Sequence, residues 1–131
     1  MNPMKALRQY QKVGAQAQVS EASPHRLVQM LMEGGLDRIA QAKGAMERND
    51  VPGKGVLISK AIGIIGGLRE GLDLENKADE VERLDNLYVY MMTRLTEANI
   101  KTDPAILDEV SDLLSTIKDG WDGIAPPGPQ F

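Results

Sequence analysis

The chain has 131 residues, a formal net charge of −4 and only 4% aromatic residues. That length fits one domain with a real core, and a mildly acidic chain with few stacking rings is a poor match for nucleic acid. Cysteine is absent, which excludes a disulfide framework and thiolate chemistry and fits a reducing compartment. No uninterrupted apolar run reaches the ~18 residues of a membrane span, and residues 1–13 lack the apolar centre of a secretory signal. A cytoplasmic protein without membrane insertion is expected.

In chain order, residues 1–22 read as an arm. Asn2-Pro3 caps a short helix to about Val13, with Leu7 and Tyr10 three apart on one face. A helix that short needs a docking surface. Ser23-Pro24 then gives an acceptor at N-cap and a proline at the first helical position, predicting a helix over 24–48. Its stripe is Val28, Met32, Gly35, Ile39, Ala42 and Met46, widened by Leu27 and Leu31. Asn49, Asp50 and Pro52 break it.

The next helix is predicted over 53–72. Leu57, Ala61, Ile64, Leu68 and Leu72 form one stripe, and Ile58, Ile62 and Ile65 extend it beyond what burial on one side requires. Gly63, Gly67 and Gly71 stand four apart, each costing about 0.8–1 kcal/mol against alanine in a helix interior. They fit either close packing of a neighbouring helix or a shallow groove left for a partner helix. A polar connection over 73–78 follows. Val81, Leu84, Tyr88, Met91, Leu95 and Ala98 predict a helix over 79–100. Asp103-Pro104 starts another, to about Trp121, with the stripe Ile106, Val110, Leu113, Ile117 and Trp121. Residues 123–131 form a proline- and glycine-rich tail expected to be disordered. Four helices of ~20 residues with short connections predict an all-α antiparallel four-helix bundle over 23–122, with the arm docked on its surface.

Catalytic and metal chemistry find little support. His25, the only histidine, reads as a solvated first-turn residue, whereas a phosphotransfer bundle needs an exposed mid-helix histidine. One histidine cannot supply the paired Glu-x-x-His motifs of a di-iron bundle. The glycines of 62–71 lack the G-K-[ST] of a phosphate loop. Asp79, Glu80, Glu82 and Asp85 read as a solvated acidic face that complements a helix N-terminus. Met30, Met32, Met91 and Met92 read mainly as core, though methionine also serves adaptable binding surfaces. Met91 and Met92 point about 100° apart, as Tyr88 and Tyr90 also diverge. Excess apolar surface on the 53–72 and 79–100 helices needs a cover: a partner, a second subunit or the arm.

The ordered residues also carry a resemblance. Tyr10, then Ala22-Ser23-Pro24 followed by Leu27, Met30, Leu31 and Gly34, resemble the arm and the ASPxxLxxMLYDG signature of the flagellin-specific export chaperone family. Ser59-Lys60-Ala61-Ile62 with Ile64-Ile65 resembles the middle of that family's third helix. Tyr88, Tyr90, Met91, Arg94, Leu95, Ala98, Asn99, Ile100, Asp103, Glu109, Val110 and Trp121 resemble its C-terminal half. Met32 and Glu33 depart from the usual aromatic residue and aspartate, and Gly63, Gly66 and Gly67 are unusual for the third helix.

The resemblance implies a non-enzymatic bundle without a cofactor. It would bind the C-terminal segment of flagellin, prevent premature polymerisation and assist delivery to the flagellar type III export apparatus. Export-gate components, other flagellar regulators and self-association stay open as further interactions. The expected groove residues are Ile58, Ile62, Ile65, Tyr88, Met92 and Leu95, of which Ile65 and Leu95 also read as core. Leu7 and Tyr10 are expected to gate the groove from the arm. The competing readings are a histidine phosphotransfer bundle acting through His25 and a self-associating structural bundle.

Overall fold

The computed structural model describes residues 22–72 and 78–124. The arm, with Leu7 and Tyr10, and the tail from 125 lie outside them. Four helices follow in order: α1 Pro24–Glu47, α2 Val51–Glu70, α3 Asp79–Lys101 and α4 Pro104–Asp122, with no strand among the described residues.

Three helix starts carry side-chain caps: those at Ser23 and Asp103 are the expected ones, whereas Asp50, expected in a break before a helix from 53, caps a helix that starts at Val51. Ser23 Oγ accepts the Arg26 amide at 3.1 Å, Asp50 Oδ1 accepts the Gly53 amide at 3.0 Å, and Asp103 Oδ1 accepts the Ala105 amide at 2.9 Å. Each satisfies one orphan donor and contributes about 1 kcal/mol. Gly53 is required by its cap, because a Cβ there would lie 2.2 Å from Asp50 Oδ2. α3 begins without a side-chain cap and relies on Asp79, Glu80 and Glu82 against the dipole. Between α1 and α2 the chain reverses through Asn49 at φ 58°, a left-handed conformation that asparagine tolerates.

Each helix packs against its chain neighbours, and α1 closes the ring against α4. The start of α1 lies beside the end of α4, while Lys43 near the end of α1 pairs with Asp108 near the start of α4 at 2.9 Å. Successive helices therefore run antiparallel. The centre is filled by Met32 and Ile39 of α1, Ile58 and Ile65 of α2, Tyr88, Met91 and Leu95 of α3, and Leu107, Val110 and Leu114 of α4. α1 and α4 approach closely at Gly35, where an added Cβ would stand 3.1 Å from Leu114 Cδ2.

Two stripes differ from expectation. In α2 the buried line is Lys54, Ile58, Ala61, Ile65 and Leu68, rotated from the Leu57–Ile64–Leu72 line. In α4 it is Ile106, Leu107, Val110 and Leu114, so Ile106 and Val110 of the expected stripe are core while Leu113, Ile117 and Trp121 lie on the flank. The cause is the same in both. A helix wedged between two neighbours carries an apolar arc wider than one stripe, and spacing alone does not choose its centre.

Lys54 occupies a core position because its stem packs like an apolar side chain while its ammonium leaves sideways. Nζ donates to Asn99 O at 3.0 Å and Thr102 Oγ1 at 2.7 Å, a cation on the C-terminal carbonyls of α3. Thr102 itself holds φ 49° as the C-cap of that helix.

Candidate functional site

Among the described residues, no group of three or more His, Cys, Asp or Glu is arranged to hold a metal. His25 is not solvated: it is 8% exposed, and its ring stacks on Trp121 with centroids 4.9 Å apart. Its Nε2 lies 2.9 Å from Trp121 O, and Trp121 Nε1 donates to His25 O at 3.0 Å. The antiparallel ring brings the first turn of α1 to the last turn of α4, which spacing within either helix does not reveal. A ring so enclosed, with Nε2 engaged, is unsuited to receive a phosphoryl group.

Two apolar features remain. The first is a cavity of about 370 Å³ at the end of the bundle where α1 and α3 begin and α2 and α4 finish. Val28, Leu31 and Met32 line it from α1, Leu68 and Leu72 from α2, Leu84 and Tyr88 from α3, and Ile117, Trp121 and Ile124 from α4 and beyond. Burial pushes the Tyr88 phenol up to about 12. This cavity was not legible in the sequence, because it is lined by residues from four separate segments. The one signal was Leu113–Ile117–Trp121, an apolar line that fits badly with Leu107–Leu114 as a single centre.

The second is the outer surface of α2 with its seam to α3. α2 is long and apolar enough to cross a membrane by length and composition, yet it is a bundle helix, and only 33% of its apolar window is buried. Val56 is exposed on it, and a Cβ at Gly63 or Gly55 would meet nothing within 4 Å. Those glycines therefore do not serve close packing of a helix of this bundle. At the seam, a Cβ on Gly66 would lie 3.6 Å from Met92 Cε, and Ile62 is half-buried. Leu87, Val89 and Tyr90 add apolar area on the outward side of α3.

The expected groove residues divide accordingly. Ile58, Ile65 and Leu95 are 1%, 0% and 0% exposed and hold the core together, since their positions face the bundle axis. Tyr88 is buried and forms part of the cavity wall. Ile62 and Met92 are partly buried: Met92 meets α2 at Gly66, and Ile62 stands one turn from Gly66 on the same helix face. Leu7 and Tyr10 lie outside the described residues.

A polar network braces α3 against α4. Arg94 Nε pairs with Glu109 at 2.7 Å across α3 and α4, Tyr90 donates its hydroxyl to the same carboxylate, and Glu97 joins Arg94 to Lys101. Hydrogen bonds from Tyr90 and Arg94 hold the Glu109 carboxyl below the usual range. Tyr90, off the main stripe, thus has a polar tether rather than a core role.

A family model described as flagellar protein FliS matches residues 6–128. The chain is 61% identical to the flagellar secretion chaperone FliSB of Pseudomonas aeruginosa, over 95% of this chain and 99% of that protein. It is 44% identical to the flagellar secretion chaperone FliS of Vibrio cholerae, over 92% and 89%. The corresponding protein of Salmonella typhimurium is 40% identical over 92% and 90%.

Proposed function

Because the chain belongs to the FliS family of flagellar proteins, we propose that it is a cytoplasmic chaperone for flagellin. The family is one of chaperones, not enzymes. In this reading the chain binds the disordered C-terminal segment of flagellin, prevents its premature polymerisation and assists its delivery to the flagellar type III export apparatus. Uncovered apolar surface on α2 and along its seam with α3 carries the reading: Val56, Ile62 and Met92 beside the open strip at Gly63. An amphipathic segment lays its apolar face into such a strip, and glycines let the backbones approach closely. A disordered client wraps a large surface while losing entropy on ordering, which suits a hold that must later be released.

The arm gates this surface. Leu7 and Tyr10 cover part of the groove in the free protein, and the client displaces them. Self-cover lowers aggregation and reduces apparent affinity in proportion to the closed fraction. Removing residues 1–16 therefore tightens client binding and lowers solubility; a truncated chain unchanged in both would contradict the gating. The binding reading itself is tested by mixing the chain with monomeric flagellin. Equimolar chaperone suppresses seeded filament growth and co-elutes with flagellin. Flagellin lacking its C-terminal segment does not co-elute; co-elution undiminished by that deletion would refute the assignment.

A further inference from the structure

The end cavity shares no lining residue with the α2/α3 seam, and one of its walls carries a polar group without a partner. Tyr88 is 2% exposed, and its hydroxyl makes no hydrogen bond among the described residues. No fully enclosed side-chain oxygen or nitrogen is unpaired there, so the hydroxyl keeps a small accessible surface, and the cavity that Tyr88 lines is where that surface lies. A phenol taken this far out of water is unfavourable until something in the cavity bonds to it. We propose that the cavity is a binding site for a small uncharged molecule of about two fused rings, carrying one hydrogen-bond acceptor for the Tyr88 hydroxyl.

Size and chemistry select that class. An apolar cavity of about 150 Å³ holds one benzene ring, whereas this one has about 370 Å³. Two fused rings with a substituent therefore fit. None of the described lining residues is charged, so a carboxylate or an ammonium would lose its hydration without a counterion. Burial pushes the Tyr88 phenol up to about 12, so it is protonated at neutral pH and offers a donor. Trp121 supplies an indole wall for an aromatic body. That wall is held in place by the stack on His25 and by the bond from Nε1 to His25 O at 3.0 Å, so little ordering is needed when a ligand enters. Met32 adds a polarisable, adaptable side chain to the same lining. The site is independent of the flagellin reading.

Trp121 is the only tryptophan, so its fluorescence reports occupancy. Three probes are titrated: 1-tetralone, an uncharged two-ring ketone; tetralin, which lacks the oxygen; and 2-naphthoate, which is charged. The proteins are the full chain, Tyr88→Phe and Gly120→Leu, with far-UV circular dichroism for the fold. Gly120 lines the cavity, and a Cβ there would meet nothing within 4 Å, so a leucine is accommodated by α4 and occupies the site. The full chain should bind 1-tetralone saturably and about tenfold or more tighter than 2-naphthoate. Tyr88→Phe should weaken 1-tetralone about 3- to 10-fold, the usual worth of one hydrogen bond, and leave tetralin unchanged. Gly120→Leu should abolish binding of both and leave flagellin binding intact. Absence of saturable binding, 2-naphthoate binding as tightly as 1-tetralone, or the same response of 1-tetralone and tetralin to Tyr88→Phe would overturn the proposal. So would probe binding seen only after removal of residues 1–21, or loss of flagellin binding in Gly120→Leu, which would give the cavity to the arm or to the client.

Discussion

His25 and Trp121 tie the first turn of α1 to the last turn of α4 through a stacked pair and two reciprocal contacts. His25→Ala removes the stack and the Nε2 contact but leaves the Trp121 Nε1 bond to the backbone. Adding the usual worth of an aromatic pair and one hydrogen bond, the loss should be about 1–3 kcal/mol in urea unfolding. Phosphate labelling by a sensor-kinase mixture should give no signal at His25 in the intact protein. Tyr88 predicts an alkaline limit. Its phenol ionises near 10 when unfolded but near 12 when folded, because burial disfavours the phenolate. Between those values the unfolded chain has lost the proton and the folded chain keeps it, so stability is intact below about 10 and falls as pH rises towards 12. The loss is on the order of 2–3 kcal/mol. Tyr88→Phe should abolish that part of the decline, seen as a flatter unfolding midpoint between about pH 9 and pH 12.

At the scale of the element, α2 separates packing from binding. Gly63 has open space where a Cβ would stand. Gly63→Ala should therefore stabilise the free bundle by about 0.5–1 kcal/mol. Gly63→Leu should keep the bundle folded but weaken client binding by about tenfold or more, since a bulky side chain fills the strip and costs over ~1.4 kcal/mol. Ile62→Glu should likewise spare the helical signal and reduce binding. Ile58→Glu should cost the fold itself, by about 3 kcal/mol or more, because its side chain faces the core and a lone charge there has no partner. Equal loss of helicity in both variants would contradict the division drawn between core and seam. Much of this element structure was legible in advance. The caps at Ser23 and Asp103 act locally, so the residue pattern carries the boundary, while Asp50, expected in a break, caps α2 itself. The α3 stripe at Tyr88, Met91, Leu95 and Ala98 was also legible, because the rest of that helix is polar enough to give one direction. α2 gave no single direction, and the groove expectation there picked Ile58 and Ile65, which are core. Lys54 was overlooked as a core position because its partners, Asn99 and Thr102, lie far along the chain. The cavity and the His25–Trp121 pair depend on how helices meet in space, which periodicity within one helix does not contain.

The described residues form a ring of four antiparallel helices around a buried core, while α2 keeps apolar area outside it. Surface ion pairs such as Arg69–Asp85 and Lys43–Asp108 brace the ring only weakly, because solvent screens them. A bundle whose four helices share a buried core can hold and release a segment on its outer face without unfolding. The most direct measurement is calorimetric titration of the chain with the C-terminal segment of its cognate flagellin, repeated over a range of temperatures. A disordered segment that orders on α2 and the α2/α3 seam should bind saturably with a large negative heat-capacity change, as expected for about 1,000–3,000 Å² buried in coupled folding. Absence of binding at every temperature, or binding with a heat-capacity change near zero, would contradict the account.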